Sequence, residues 1–197
     1  SLKLLGVSLA VQGQPAQHGP TLLVANHISW LDIMVVNAAR PCRFVSKADV
    51  KQWPLLGPLV VGAGTLFIER ESRRDALRVV HVMAERLRAG DVLAVFPEGT
   101  TSDGTGLLPF HANLLQAAVS ANAPIQGLGM SYHDRMSGQM SVAPTYIGDA
   151  TLVASLWRTL MAPPIEARLR YGEPEYAQGR DRRTWASDMK TEVERLL

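Results

Sequence analysis

At 197 residues the chain lies in the size range of one domain able to bury a core without disulfide staples, and residues 1–197 are expected to form a single domain. A composition 47% hydrophobic and 19% charged, whose apolar runs stay well below the roughly 20 residues of a spanning helix, excludes a multi-span membrane protein. The formal net charge is +2 and the cations are scattered rather than striped, so no nucleic-acid surface is expected.

Of the 20 cationic residues only Lys3, Lys47, Lys51 and Lys190 are lysine; the rest are arginine, whose planar fork suits phosphate and carboxylate. The single Cys42 cannot form an internal disulfide, which suits a reducing compartment, and its apolar setting reads as a small buried hydrophobe.

Periodicity predicts strands at Leu4 to Val11, Thr21 to Ala25, Arg43 to Ser46, Thr65 to Glu69, Val92 to Phe96, Ile125 to Tyr132 and Ala167 to Tyr171. The first begins in mid-flow at a serine, so the natural chain is expected to start earlier. Trp53 to Ala63 is apolar nearly all round and reads as a short core helix, with contact to lipid or an acyl chain as the alternative. Ser72 to Ala89 carries the clearest helical pattern, with capping-box spacing between Ser72 and Asp75 and a stop at Gly90. Further helices are predicted at Ala112 to Ala121, Asp149 to Met161 and Arg182 to Leu197, with polar connections at Tyr132 to Gly138 and Glu173 to Gly179. Strands alternating with helices define an α/β class: a mixed, largely central β-sheet flanked by helices.

Two turns at strand exits carry the chemistry. Asn26-His27-Ile28-Ser29-Trp30-Leu31-Asp32 follows the second strand, and a neutral imidazole oriented by a carboxylate can take a proton from an alcohol. Five positions along a straight helix would leave His27 and Asp32 about 140° apart, so the pair requires His27 in the turn and Asp32 in the first helical turn, with Ser29 as N-cap. The spacing Ser29-x-x-Asp32 equally describes a capping box, in which Asp32 only holds the helix start.

Phe96-Pro97-Glu98-Gly99-Thr100-Thr101-Ser102 leaves another strand into a turn. There Gly99 would let the backbone approach a ligand, and Thr100, Thr101 and Ser102 could donate to an anion. Glu98, a poor phosphate ligand, would accept from a substrate hydroxyl or hold a cation or loop. Arg70 closes the run Gly64 to Arg70 with a fork suited to a phosphate or carboxylate headgroup. His81 and Glu85 stand four apart without a third ligand, and His111 and His133 lack a spaced partner, so no metal site is expected.

The NHISWLD, GTLFIER and FPEGTTS runs, followed by Ala123-Pro124-Ile125 before a strand, occur in an order that resembles the glycerolipid acyltransferases, in particular the bacterial 1-acylglycerol-3-phosphate acyltransferases. The resemblance covers about residues 4 to 132. It implies a glycerol-3-phosphate acyltransferase-like fold in which His27 is the general base, Asp32 fixes its tautomer, Arg70 and Glu98-Gly99-Thr100 hold the acceptor, and Pro124 lies near the acyl donor. The implied co-substrate is an acyl thioester of coenzyme A or acyl carrier protein, with no cofactor and no enzyme nucleophile. The implied acceptor is a lysophospholipid, either 1-acylglycerol-3-phosphate or another such as lyso-ornithine lipid. A non-catalytic lipid-binding domain is the alternative of another class. An N-terminal membrane anchor preceding Ser1 and residence on the cytoplasmic face of the inner membrane are also implied. Two departures stand out: Phe110-His111-Ala112-Asn113 replaces the Phe-Lys-x-Gly of many relatives, and Thr101 stands where arginine is common.

Overall fold

A computed structural model describes residues 2–47, 50–51, 57, 61–62, 64–68, 73–148 and 150–197. Within these the strands β1 (Val7–Gln12), β2 (Thr21–Ala25), β3 (Arg43–Lys47), β4 (Leu66–Ile68), β5 (Val92–Val95), β6 (Ile125–Asp134) and β7 (Ile165–Tyr171) form one seven-stranded sheet of order β1-β7-β6-β2-β5-β3-β4. Every neighbouring pair is parallel except β6 and β7. The sheet is therefore mixed, as the alternation of elements implies.

β2 is buried along its whole length, as expected of a central strand covered on both faces. Its alternation assigns the two cores. Leu23 and Ala25 pack on the side of α1 (Leu31–Ala39), while Leu22 and Val24 pack against α2 (Arg73–Arg88), α3 (Gln116–Ala121) and α5 (Arg182–Leu196). Met83 and Leu87 of α2 and Trp185 of α5 are fully buried there, each side chain contributing about 1.5–3 kcal/mol of burial. α4 (Leu152–Met161) lies on the α1 side through Leu152 and Leu156.

Among the element boundaries that differ from the sequence expectation, four have a clear local cause. The first strand begins at Val7, because Leu2–Leu5 form a 3-10 turn and Gly6 breaks the chain at φ +69°, so Leu5 does not share the strand's face. α3 is shorter than predicted, since residues 112–115 form successive tight turns with i→i+3 bonds such as Leu115 N–H to Ala112 O. α4 starts at Leu152 because Thr151 caps it, accepting from Ala154 N–H at 3.2 Å. β6 runs on to Asp134, whose carboxylate then closes the turn by accepting from Met136 and Ser137 N–H. The capping of α2 by Ser72 and most of the Trp53 to Ala63 run lie outside the described residues.

Candidate active site

Parallel β2 and β5 end side by side, with Val24 paired to Val95, and so deliver His27 and Glu98 to the same edge of the sheet. Sites in open α/β sheets form at such carboxyl ends. The backbone N–H of His27 donates to Glu98 Oε1 at 2.8 Å, and Leu108 N–H donates to Oε2 at 2.8 Å. Glu98 is 3% exposed, so its carboxylate is committed to pinning the His27 turn and the Leu108 segment. Of the roles open to it from sequence, holding a loop is the one these contacts fill.

His27 Nδ1 lies 2.8 Å from Asp32 Oδ2. The aspartate is fully buried and the imidazole is 19% exposed. A carboxylate only accepts, so Nδ1 carries the hydrogen and Nε2 is left as the proton acceptor. The ring lies flat on Phe96, with centroids 4.0 Å apart and planes 4° apart, which fixes its orientation from one face.

Asp32 also caps the helix. The same Oδ2 accepts from Ile28 N–H at 2.7 Å and Ser29 N–H at 3.0 Å, while Ser29 Oγ accepts from Leu31 N–H at 3.1 Å. The cap and the pair expected as alternatives are one arrangement. The helix boundary falls at Trp30 rather than Ser29, because Asp32 N–H closes a tight first turn on Ser29 O at 3.2 Å. The turn is anchored from outside by Ser29 Oγ donating to Pro144 O and Trp30 Nε1 donating to Ser155 Oγ of α4.

Gly99 takes φ +72° with its N–H on Phe96 O, and a Cβ there would stand 3.2 Å from the His111 ring. The turn's positive φ and the neighbouring His111 side chain both favour glycine here. Thr100 is exposed at the surface of the turn. Thr101 Oγ1 donates to Tyr146 O, and Ser102 N–H donates to His27 O at 2.8 Å, so these two brace the turn on which the histidine sits.

Pro124 is not part of this assembly. Its carbonyl accepts from Leu22 N–H at 3.0 Å, and Ile125 pairs with Leu22, which places Pro124 at the start of β6, at the opposite edge of the sheet from His27. Five positions of extended chain, the first three in β2, separate Leu22 from His27, about 16 Å. Parallel register sends a residue that precedes a strand to the edge opposite one that follows its neighbour, so Pro124 does not meet His27. Arg70 lies outside the described residues.

Three contributors escaped sequence reasoning. Asn26 bridges β2 to β6, donating to Met130 O at 2.9 Å and accepting from Met130 N–H at 2.8 Å. Phe96 supplies the stacking face, and the buried Tyr132 hydroxyl donates to Asp32 Oδ1 at 2.6 Å. Asn26 and Phe96 stand inside the motifs and had a local signal. Tyr132 had none, being 100 positions from its partner.

Cys42 is buried and its thiol is pushed up to about 12 by that burial, so it offers no thiolate nucleophile. His81 meets Glu85 at 3.2 Å on an exposed helix face, and among the described residues no group of three or more His, Cys, Asp or Glu side chains is assembled for a metal.

Burial raises the Glu98 carboxyl above its ordinary value, outweighing the two backbone donors that lower it. A raised native value means that stability from this group is fully present below the unfolded carboxyl range and declines as pH rises through the native value. In Glu98→Gln this decline should vanish from the pH dependence of the melting temperature. One backbone N–H would then face an amide NH2, and the variant should lose about 1–3 kcal/mol of stability by denaturant titration.

An α/β sheet with a histidine–aspartate pair at its carboxyl edge defines the class of fold and site. The family model described as Acyltransferase matches residues 8–131, more than half of the chain, and the chain belongs to that family. It is 39% identical over 172 residues to the 1-acyl-sn-glycerol-3-phosphate acyltransferase of Neisseria meningitidis, covering 86% of this chain and 66% of that protein. It is 38% identical over 193 residues to the lyso-ornithine lipid O-acyltransferase of Pseudomonas aeruginosa, covering 98% and 73%. The chain thus spans about two thirds of the length of such relatives. In fold it is similar to the crystal structure of the 1-acyl-sn-glycerophosphate (LPA) acyltransferase PlsC from Thermotoga maritima, with a TM-score of 0.66 at 20% identity over 98% of this chain and 73% of that one.

Proposed function

We propose that the protein moves a fatty acyl group from an acyl thioester, of coenzyme A or acyl carrier protein, to the free hydroxyl of 1-acylglycerol-3-phosphate, giving phosphatidic acid. The observation that carries this reading is the 2.8 Å contact of His27 Nδ1 with buried Asp32, which leaves Nε2 as acceptor. Nε2 takes the hydroxyl proton as the oxygen attacks the thioester carbonyl. Collapse of the tetrahedral intermediate breaks the C–S bond and returns the proton to the leaving sulfur. The thioester is already activated, so neither a covalent enzyme intermediate nor a cofactor is invoked. Gly99 N–H and Ser102 N–H are committed to Phe96 O and His27 O, and the Thr101 hydroxyl to Tyr146 O, so oxyanion contacts from this turn would fall to Thr100 and the backbone N–H of Thr101.

The relatives also favour a second acceptor, since the Pseudomonas aeruginosa protein matched over 98% of this chain is a lyso-ornithine lipid O-acyltransferase. Parallel assays of acyl transfer to lysophosphatidic acid and to lyso-ornithine lipid, each with both thioester donors, separate the readings. Product from lyso-ornithine lipid alone replaces the first with the second, and no product from either acceptor rejects both.

We place the enzyme on a lipid surface, the cytoplasmic leaflet where acyl thioesters are available. No helix among the described residues is long and apolar enough to cross a membrane. α4, tied to the His27 turn through Ser155, turns Val153, Trp157, Leu160 and Met161 outward, with Trp157 65% exposed. Arg158 on the helix and Arg135, whose N–H donates to Pro164 O just past its end, are exposed and suit anionic headgroups. Trp157→Lys should weaken sedimentation with phosphatidylglycerol vesicles by about tenfold or more while sparing the melting temperature. Unchanged sedimentation would remove this face from the reading.

A further inference from the structure

Asp32 is held from two sides. Oδ2 takes the imidazole and two backbone N–H groups of the helix start, all local in sequence. Oδ1 takes the hydroxyl of Tyr132, from the far side of the core.

The route by which Tyr132 arrives there is explicit in the sheet. β2 ends at Ala25 while β6 continues to Asp134, so β6 projects past the edge at which His27 sits. Asn26 extends the pairing with its side chain, bonding both backbone groups of Met130. Two residues further along the strand, Tyr132 points to the same face as Met130, into the core layer shared with α1. There it is 2% exposed and meets Asp32 at 2.6 Å, the length of a short charge-assisted bond. Burial first, and then the neighbouring Asp32 charge, hold this phenol well above its ordinary value, so it remains a donor throughout the working pH range.

A donor on Oδ1 does two things to a carboxylate whose other oxygen faces a histidine. It fixes the plane of the carboxylate, keeping Oδ2 in line with Nδ1. It also draws charge toward Oδ1, reducing the field that Oδ2 presents to the imidazole. We propose that Tyr132 is a positioning residue for acyl transfer, acting through Asp32 to set the orientation and proton-accepting power of His27. The proposal rests on His27 being the base of the reaction. It is distinct from the general role of a packed core tyrosine, because it requires the hydroxyl and not the ring.

The test replaces Tyr132 in the complete protein with phenylalanine, which keeps the ring, and with a difluorotyrosine, which keeps the shape but donates more strongly. In Tyr132→Phe the carboxylate returns its full charge to the imidazole. The acid limb of the pH–rate profile should move to higher pH by roughly half a unit or more, and kcat should fall about 3- to 10-fold with KM nearly unchanged. The difluorotyrosine protein should move the limb the opposite way, an outcome that lost packing cannot produce. Combined with Asp32→Asn, Tyr132→Phe should cost little further rate, because its path runs through the carboxylate. The NMR titration midpoint of His27, which needs no substrate, should shift in step with the limb. Should acyl transfer be absent altogether, that titration still decides whether Tyr132 acts on His27, separately from the reading of the reaction. Parental pH behaviour in both variants, or full additivity with Asp32→Asn, overturns the proposal. If Tyr132→Phe does not fold, the sign of the difluorotyrosine shift alone decides.

Discussion

His27→Ala should fold, and should transfer acyl groups about 10²- to 10⁴-fold more slowly than the parent, the range that general base catalysis contributes. Folding survives because the structural duties of residue 27 belong to its backbone. Its N–H donates to Glu98 and its carbonyl accepts from Ser102, and alanine keeps both. What disappears is the ring stacked on Phe96, worth about 1 kcal/mol, and one donor to Asp32, which retains Ile28 N–H, Ser29 N–H and the Tyr132 hydroxyl. Steady-state kcat beside a thermal melt is the measurement. Parental turnover removes His27 as the base. A protein that no longer folds assigns the ring to the core.

Asp32→Asn tests the other half of the pair, and the two oxygens make its outcome specific. Oδ2 receives two backbone N–H donors that cannot turn round, beside the imidazole, whereas Oδ1 receives one hydroxyl that can. The asparagine carbonyl should therefore occupy the Oδ2 position with its NH2 toward Tyr132, whose hydroxyl reverses to accept. The helix start is preserved at a cost of about 1–3 kcal/mol, the difference between charged and neutral acceptors. Catalysis does not survive so well, because the imidazolium formed during proton transfer loses its counter-charge. A fall in kcat of about 10²- to 10³-fold is expected, with the acid limb of the pH–rate profile displaced to lower pH. Asp32→Ala, which leaves several buried donors without an acceptor, should be less stable than Asp32→Asn in denaturant titrations. If Asp32→Asn keeps the parental rate while Asp32→Ala merely unfolds, the aspartate is a cap and nothing more.

Alone, the His-x4-Asp spacing was ambiguous between a proton-transfer pair and a helix cap, and the geometry shows why the sequence offered both. A carboxylate in the first helical turn can reach back to the backbone N–H groups of the turn that leads into the helix, and the side chain of a residue in that lead-in faces the same oxygen. One Oδ2 can satisfy both kinds of donor, so the pattern for a cap and the pattern for an oriented histidine coincide.

Glu98 was legible as important but not in its role. Its neighbours suggested a ligand-facing turn, and only the parallel register of β2 and β5 reveals that it reaches sideways to the backbone of His27. For Pro124 the reverse holds. Its place in the motif order suggested the site, while strand direction puts it at the other edge.

The sequence by itself determined the central strand, whose bounds of Thr21 to Ala25 are those observed, together with the α/β class, the family and the candidate pair His27 and Asp32. These depend on periodicity and on contacts within a few residues, which one-dimensional order preserves. Only the tertiary structure decided which edge of the sheet each motif reaches, that Glu98 braces the turn, and that Tyr132 completes the shell of Asp32. Those follow from strand order, direction and register, which arise from burying two sheet faces at once, and no local pattern of residues records them.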